Sequence, residues 1–119
     1  MMLFELKTKP LESRFIRAKN GKDLVEYSNF LDYVSKQLPD FSSFDFTRNI
    51  SIHADIHYFD KAPDKDNAMM IIQDVLQRNV ARYDNDRVTR VTANKFVVKD
   101  KTEEGYNIQI INSKLSMSF

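Results

Sequence analysis

The sequence predicts an α+β domain: a mixed sheet of about four strands with two helices packed on one face, in the order β-α-β-α-β-β. Three observations lead there. Residues 50–58 alternate strictly, with Ile50, Ile52, Ala54, Ile56 and Tyr58 set against Ser51, His53, Asp55 and His57, which is the period of a half-buried strand. Two stretches, 23–38 and 68–77, repeat their apolar residues at three and four positions, the period of a helix with one buried stripe. Short β-prone runs stand at both ends of the chain, so helices and strands must share one core.

Taken in order, Leu3-Phe4-Glu5-Leu6-Lys7 is a short strand that ends before Pro10. Residues 8–22 carry Lys9, Arg14, Arg17, Lys19 and Lys22 around Asn20-Gly21 and read as a basic loop, long enough to be a binding loop. From Asp23 the residues Leu24, Tyr27, Phe30, Leu31, Val34 and Leu38 form one helical stripe, which Pro39 ends. Asp40 to Thr47 reads as a linker rich in Ser, Asp and Phe. The alternating strand follows, and then a loop opened by Pro63.

In the second helix Ala68, Ile71, Ile72, Val75 and Leu76 supply the buried face, with Met69 and Met70 beside it. Asp66, Met70, Asp74 and Gln77 fall on a common, more polar strip. Two further strands are expected at Val88 to Val98 and Tyr106 to Ile111. The charged turn Lys99 to Gly105 between them predicts a hairpin.

A chain of 119 residues is long enough for one domain with its own core and too short for two, so residues 1–119 are read as one unit. There is no cysteine, which excludes disulfides, zinc–thiolate centres and thiol nucleophiles. No run reaches the about eighteen apolar residues that a membrane span requires. The opening Met1-Met2-Leu3-Phe4-Glu5 has neither the basic start nor the apolar middle of a secretory signal. A cytoplasmic protein is the expectation.

The net charge of +1 conceals a pattern. Residues 1–22 hold six Lys or Arg against two Glu, residues 23–77 four against ten acids, and residues 78–101 seven against three. Basic segments around an acidic middle suit a polyanion held against a metal-binding acidic pocket. Salt pairing between the segments accounts for the same charges.

The acidic middle has its own order. Asp64 and Asp66 precede the second helix, and Asp84-Asn85-Asp86 follows it. If the chain returns beside the helix start, carboxylates from both clusters converge, and such a group traps protons or binds a hard cation such as Mg²⁺. Capping before a helix and turn chemistry after it explain each cluster separately. The row His53, Asp55 and His57 shares one strand face and has the spacing of a transition-metal site. Plain alternation on an open strand yields the same letters.

Asp64-Lys65-Asp66-Asn67, then Asp74, then Asp84-Asn85-Asp86-Arg87-Val88 resembles the signature of the RusA-like Holliday-junction resolvases of bacteria and their phages. Lys95 on the downstream strand, Gly105 at the turn and Tyr106-Asn107-Ile108-Gln109-Ile110 are similar to that family's ending. The resemblance implies a homodimeric, Mg²⁺-dependent endonuclease, with Mn²⁺ as a substitute, that binds four-way DNA junctions and resolves them by paired nicking in recombination, repair or phage DNA processing. It makes Asp64, Asp66, Asp84 and Asp86 the catalytic and metal-binding acids, with Asn85 at the third acid's place in a gap-free register. Asp74 and Asn67 would support them. Lys9, Arg14, Arg17, Lys19, Lys22, Lys65, Arg87 and Lys95 would meet DNA. Met70 stands where the family carries a lysine. The alternative reading is a junction-binding or regulatory protein on the same scaffold, without catalysis.

Overall fold

In the computed structural model, which describes residues 1–11 and 20–112, the elements follow the expected order. Strand β1 spans Met2–Lys7, helix α1 Gly21–Ser35, strand β2 Ile50–Tyr58, helix α2 Lys65–Asn79, strand β3 Val88–Val97 and strand β4 Gly105–Asn112. Short 3₁₀ turns at Asn85–Arg87 and Lys101–Glu103 precede β3 and β4. The sheet is mixed and its order is β1-β4-β2-β3.

That order corrects the expected hairpin. β3 runs parallel to β2 on one side, while β4 runs antiparallel to β2 on the other. The short Lys99–Gly105 connection therefore carries the chain past the end of β2 instead of folding β4 back on β3. β2 is the strand that can be central, because its alternate residues Ile50, Ile52, Ala54 and Ile56 are all buried. The last two strands close around it, and β1 completes the sheet against β4, with Leu6 opposite Tyr106.

One face of the sheet and the two helices share a single core. Ile50, Ile52, Ala54 and Ile56 of β2, Tyr106, Ile108 and Ile110 of β4 and Leu6 of β1 meet Leu31 and Val34 of α1. Ala68, Met69, Ile71, Ile72, Val75 and Leu76 of α2 join the same cluster. Among the described residues the opposite face carries no helix. There Leu3, Glu5 and Lys7 of β1 register with Gln109, Asn107 and Gly105 of β4, and those with His53, Asp55 and His57 of β2.

Helix α1 begins earlier than its apolar stripe. Asn20 is its N-cap, its Oδ1 accepting from the Asp23 backbone N–H at 2.9 Å. A capping side chain can start a helix before the first buried residue. Leu24, counted in the stripe, is exposed, and burial begins near Leu31. The helix stops at Ser35, since Pro39 disfavours helical geometry in the residue before it.

The segment 40–49 is no linker. Phe41, Phe44 and Phe46 are buried, and their rings meet edge to face at 5.9 Å and 4.8 Å around Phe46. Phe4 packs on Phe41 at 5.5 Å, and Tyr83 on Phe46 at 6.3 Å. Asp40 and Asp45 accept from the backbone N–H groups of Ser42 and Thr47, at 2.9 Å each. These Asx turns let an irregular chain aim its aromatic rings inward. Among the described residues no helix is long and apolar enough to cross a membrane.

Candidate functional site

The acidic motifs lie at the two ends of α2. Asp64 is the N-cap, with extended backbone angles, and its Oδ1 accepts from the Asp66 backbone N–H at 2.9 Å. One carboxylate oxygen is thereby committed to the helix start, where the helix dipole also favours negative charge. Asp64, Lys65 and Asp66 are exposed, and Asn67 is buried in the first turn.

The second cluster repeats the device. Asp84 caps the 3₁₀ turn, its Oδ1 accepting from the Asp86 N–H at 2.9 Å. Asn85 donates through Nδ2 to Gln77 Oε1 at 3.3 Å, which ties the turn to the last part of α2. Asp84, Asn85, Asp86 and Arg87 are all exposed.

The structure does not bring these two clusters together within one chain. A helix of 15 residues separates them, about 22 Å of axis at 1.5 Å per residue. The sheet gives the same result. Val88 registers with Ile50 at the start of β2, whereas α2 begins beyond Tyr58 at its end. Among the described residues, no three His, Asp or Glu side chains are grouped closely enough to hold a metal ion. The two turns of one chain therefore do not fit a shared ion.

Asp74 faces α1 and accepts a hydrogen bond from the Tyr27 hydroxyl. Burial first, and then that hydrogen bond, push the Tyr27 hydroxyl far above the ordinary tyrosine range. Tyr83 is pushed up to about 12, by burial first and then by the charges of Asp84 and Asp74. Asp74 thus joins the two helices rather than either acidic turn. Asp32 and Arg78 link the same helices at 2.6 Å.

Of the expected basic residues, Lys9, Lys22, Lys65, Arg87 and Lys95 are exposed. Arg14, Arg17 and Lys19 lie outside the described residues. Lys95 registers with Ile56 near the end of β2, so it shares a sheet end with Lys65 and the start of α2. Arg87 belongs to the opposite end.

The histidine row resolves into separate contacts. His53 Nε2 lies 2.8 Å from Asp55 Oδ1, and its Nδ1 2.6 Å from Thr92 Oγ1 on β3. With Nε2–H donated to the carboxylate, Nδ1 accepts from the threonine hydroxyl. His57 instead stacks on Phe96, with ring centres 5.5 Å apart. His53 forms part of a shallow groove of about 370 Å³ with Leu3, Glu5, Asp55, Asn107 and Gln109. The role of Thr92 was hidden in the sequence, because it depends on the parallel β2–β3 register.

No protein-family model matches the chain, and no curated protein matches it.

Proposed function

We propose that this chain is a homodimeric, metal-dependent endonuclease of the RusA-like type, acting on four-way DNA junctions by paired nicking. The observation that carries the proposal is the start of α2. Asp64 stands exposed as the N-cap of the helix and Asp66 in its first turn, beside Lys65 and at the sheet end that also carries Lys95. Acidic groups next to cations on one edge suit a phosphodiester, the cations meeting the phosphate backbone and the carboxylates a divalent ion. Mg²⁺, or Mn²⁺ in its place, supplies a nucleophilic hydroxide and stabilises the leaving oxygen when bound.

Within the chain, Asp64 orders the helix start and Asp66 keeps both carboxylate oxygens free of its cap partner, whose bond uses the Asp66 backbone. Asp74 holds α2 against α1 through Tyr27, which positions that start relative to the sheet. Paired nicks require two such sites related by two-fold symmetry.

A second reading, junction binding without cutting, is favoured by the separation of the two acidic turns along α2. A labelled synthetic four-way junction with Mg²⁺ or Mn²⁺ distinguishes the two. Paired nicks that disappear in Asp66→Asn support the nuclease. Salt-sensitive retention of intact junction, unchanged by Asp66→Asn, supports binding alone. Failure to retain the junction at low salt removes both.

A further inference from the structure

Three residues on the open face of the sheet stand in the order hydroxyl, imidazole, carboxylate. His53 of β2 registers with Thr92 of its parallel neighbour β3, and Asp55 follows two residues later on the same side of β2. His53 Nδ1 lies 2.6 Å from Thr92 Oγ1, and His53 Nε2 lies 2.8 Å from Asp55 Oδ1. With Asp55 accepting from Nε2–H, the ring keeps its lone pair on Nδ1, where it accepts from the threonine hydroxyl. In that tautomer an imidazole can take the proton of a nucleophile. The nuclease reading uses none of the three residues.

Grooves open on both sides of the imidazole. One, of about 190 Å³, is lined by His53, Thr92, Ser51, Arg90, Gln109 and Ile111. The other, of about 370 Å³, is lined by His53, Asp55, Leu3, Glu5, Asn107 and Gln109. His53 stands where the two meet, with a third of its side chain exposed, and Asp55 is 36% exposed. A small molecule can therefore lie across the imidazole with one end in each groove.

We propose that this face is a catalytic site separate from the acidic turns, acting on carboxylic esters of short-chain acids, with Thr92 as nucleophile, His53 as general base and Asp55 as the positioning residue. The same order of groups recurs on unrelated folds and is recognised by geometry, not by sequence position. The smaller groove beside Thr92 suits an acyl group of a few carbons. The larger and more polar one suits the alcohol.

The steps close without any co-reactant but water. Thr92 Oγ1 bonds to the ester carbonyl carbon while its proton passes to His53 Nδ1. Asp55 holds the resulting imidazolium through Nε2–H. The carbonyl oxygen takes the negative charge, and Arg90, two residues before Thr92 on the same face, lines that groove and supplies a positive charge beside it. Collapse breaks the bond to the alcohol, which leaves with the proton from Nδ1. A water then gives its proton to Nδ1 and attacks the acyl carbon. The acid departs, and Thr92 Oγ1 regains its hydrogen.

The test uses the native chain with p-nitrophenyl acetate. Nitrophenolate release is followed against a protein-free blank, and peptide mass spectrometry locates the acetyl group. The expected result is saturable release with acetyl on the peptide that holds Thr92. Thr92→Ala is expected to lose about 100-fold or more of the rate, the scale of positioned general-base catalysis. Thr92→Ser keeps the hydroxyl and is expected to keep activity, which preserves the test if the alanine variant fails to fold. His53→Ala is expected to lose the rate and to regain part of it when imidazole is added. Asp55→Asn can still accept from Nε2–H, so it is expected to lower kcat and leave KM unchanged. A native rate no greater than that of a folded Thr92→Ala overturns the proposal, as does acetyl found only on Ser51, a lysine or the N-terminal amine. Failure of imidazole to restore a folded His53→Ala removes the general base. An unchanged kcat in Asp55→Asn removes the positioning role. Octanoate ester cleaved as fast as acetate removes the short-chain assignment.

Discussion

Replacing Asp64 separates the helix cap it forms from the metal-binding role proposed for it. Its Oδ1 accepts from the Asp66 N–H at 2.9 Å, and its extended backbone places the side chain to do so. Asp64→Ala leaves that N–H without its partner at the start of a 15-residue helix whose other face fills the core. Loss of such a cap costs ~1 kcal/mol, within a range of about 0.5–2. For a domain of this size that is a fall in Tm of roughly 3–6 °C. Asn caps as well as Asp, so Asp64→Asn keeps the hydrogen bond, removes the charge and costs at most the few tenths of a kcal/mol that the helix dipole supplies. Thermal and urea melts of the three proteins supply the measurement. Equal melting of Asp64→Ala and the native chain would refute the capping argument. Equal losses for Asn and Ala would assign the stability to charge. If the carboxylate also binds metal, the Asn variant loses junction cleavage while keeping its stability.

Phe46 is 2% exposed at the centre of three ring contacts, so Phe46→Ala is expected to cost about 3–5 kcal/mol; a loss under about 1 kcal/mol in urea melts would contradict its place in the core. At Gly105 a Cβ would stand 2.5 Å from the Leu6 carbonyl oxygen, a backbone atom of the neighbouring strand. Gly105→Ala therefore has to displace β1, at about 1–3 kcal/mol, and an unchanged melt would show that the two strands are not so close. The hydroxyls of Tyr27, Tyr83 and Tyr106 are all raised, chiefly by burial, Tyr83 to about 12. The unfolded chain ionises them near pH 10 and the folded chain does not, so their stabilising contribution is complete below pH ~10. Stability should fall as pH climbs above 10, by up to about 1.4 kcal/mol per unit for each tyrosine. Tyrosinate absorbance rising in full at pH 10, with the fold intact, would contradict that burial.

Much of the fold was legible because it rests on local periodicity. The alternation of Ile50 to Tyr58 identified a strand with one buried face, and the spacing of Ala68 to Leu76 identified the buried face of α2. Features that depend on tertiary neighbours were not legible. The order β1-β4-β2-β3 reflects which strand both sheet sides must bury, and adjacency in sequence misleads at Lys99–Gly105. Phe41, Phe44 and Phe46 follow no period, because Asx turns aim them. At the candidate site, the composition of the acidic turns was readable and so was their capping chemistry. Their convergence was not: helix length alone holds them apart in one chain. The Thr92–His53–Asp55 contact joins two strands through a register that no residue spacing encodes.

The most direct measurement on the central proposal is cleavage of a labelled four-way junction by the native chain and by Asp66→Asn, in Mg²⁺ and in Mn²⁺. The account predicts symmetrically paired nicks from the native chain and none from the variant, with both proteins equally folded. Junctions that stay intact with either metal, or nicks that persist in Asp66→Asn, would contradict it.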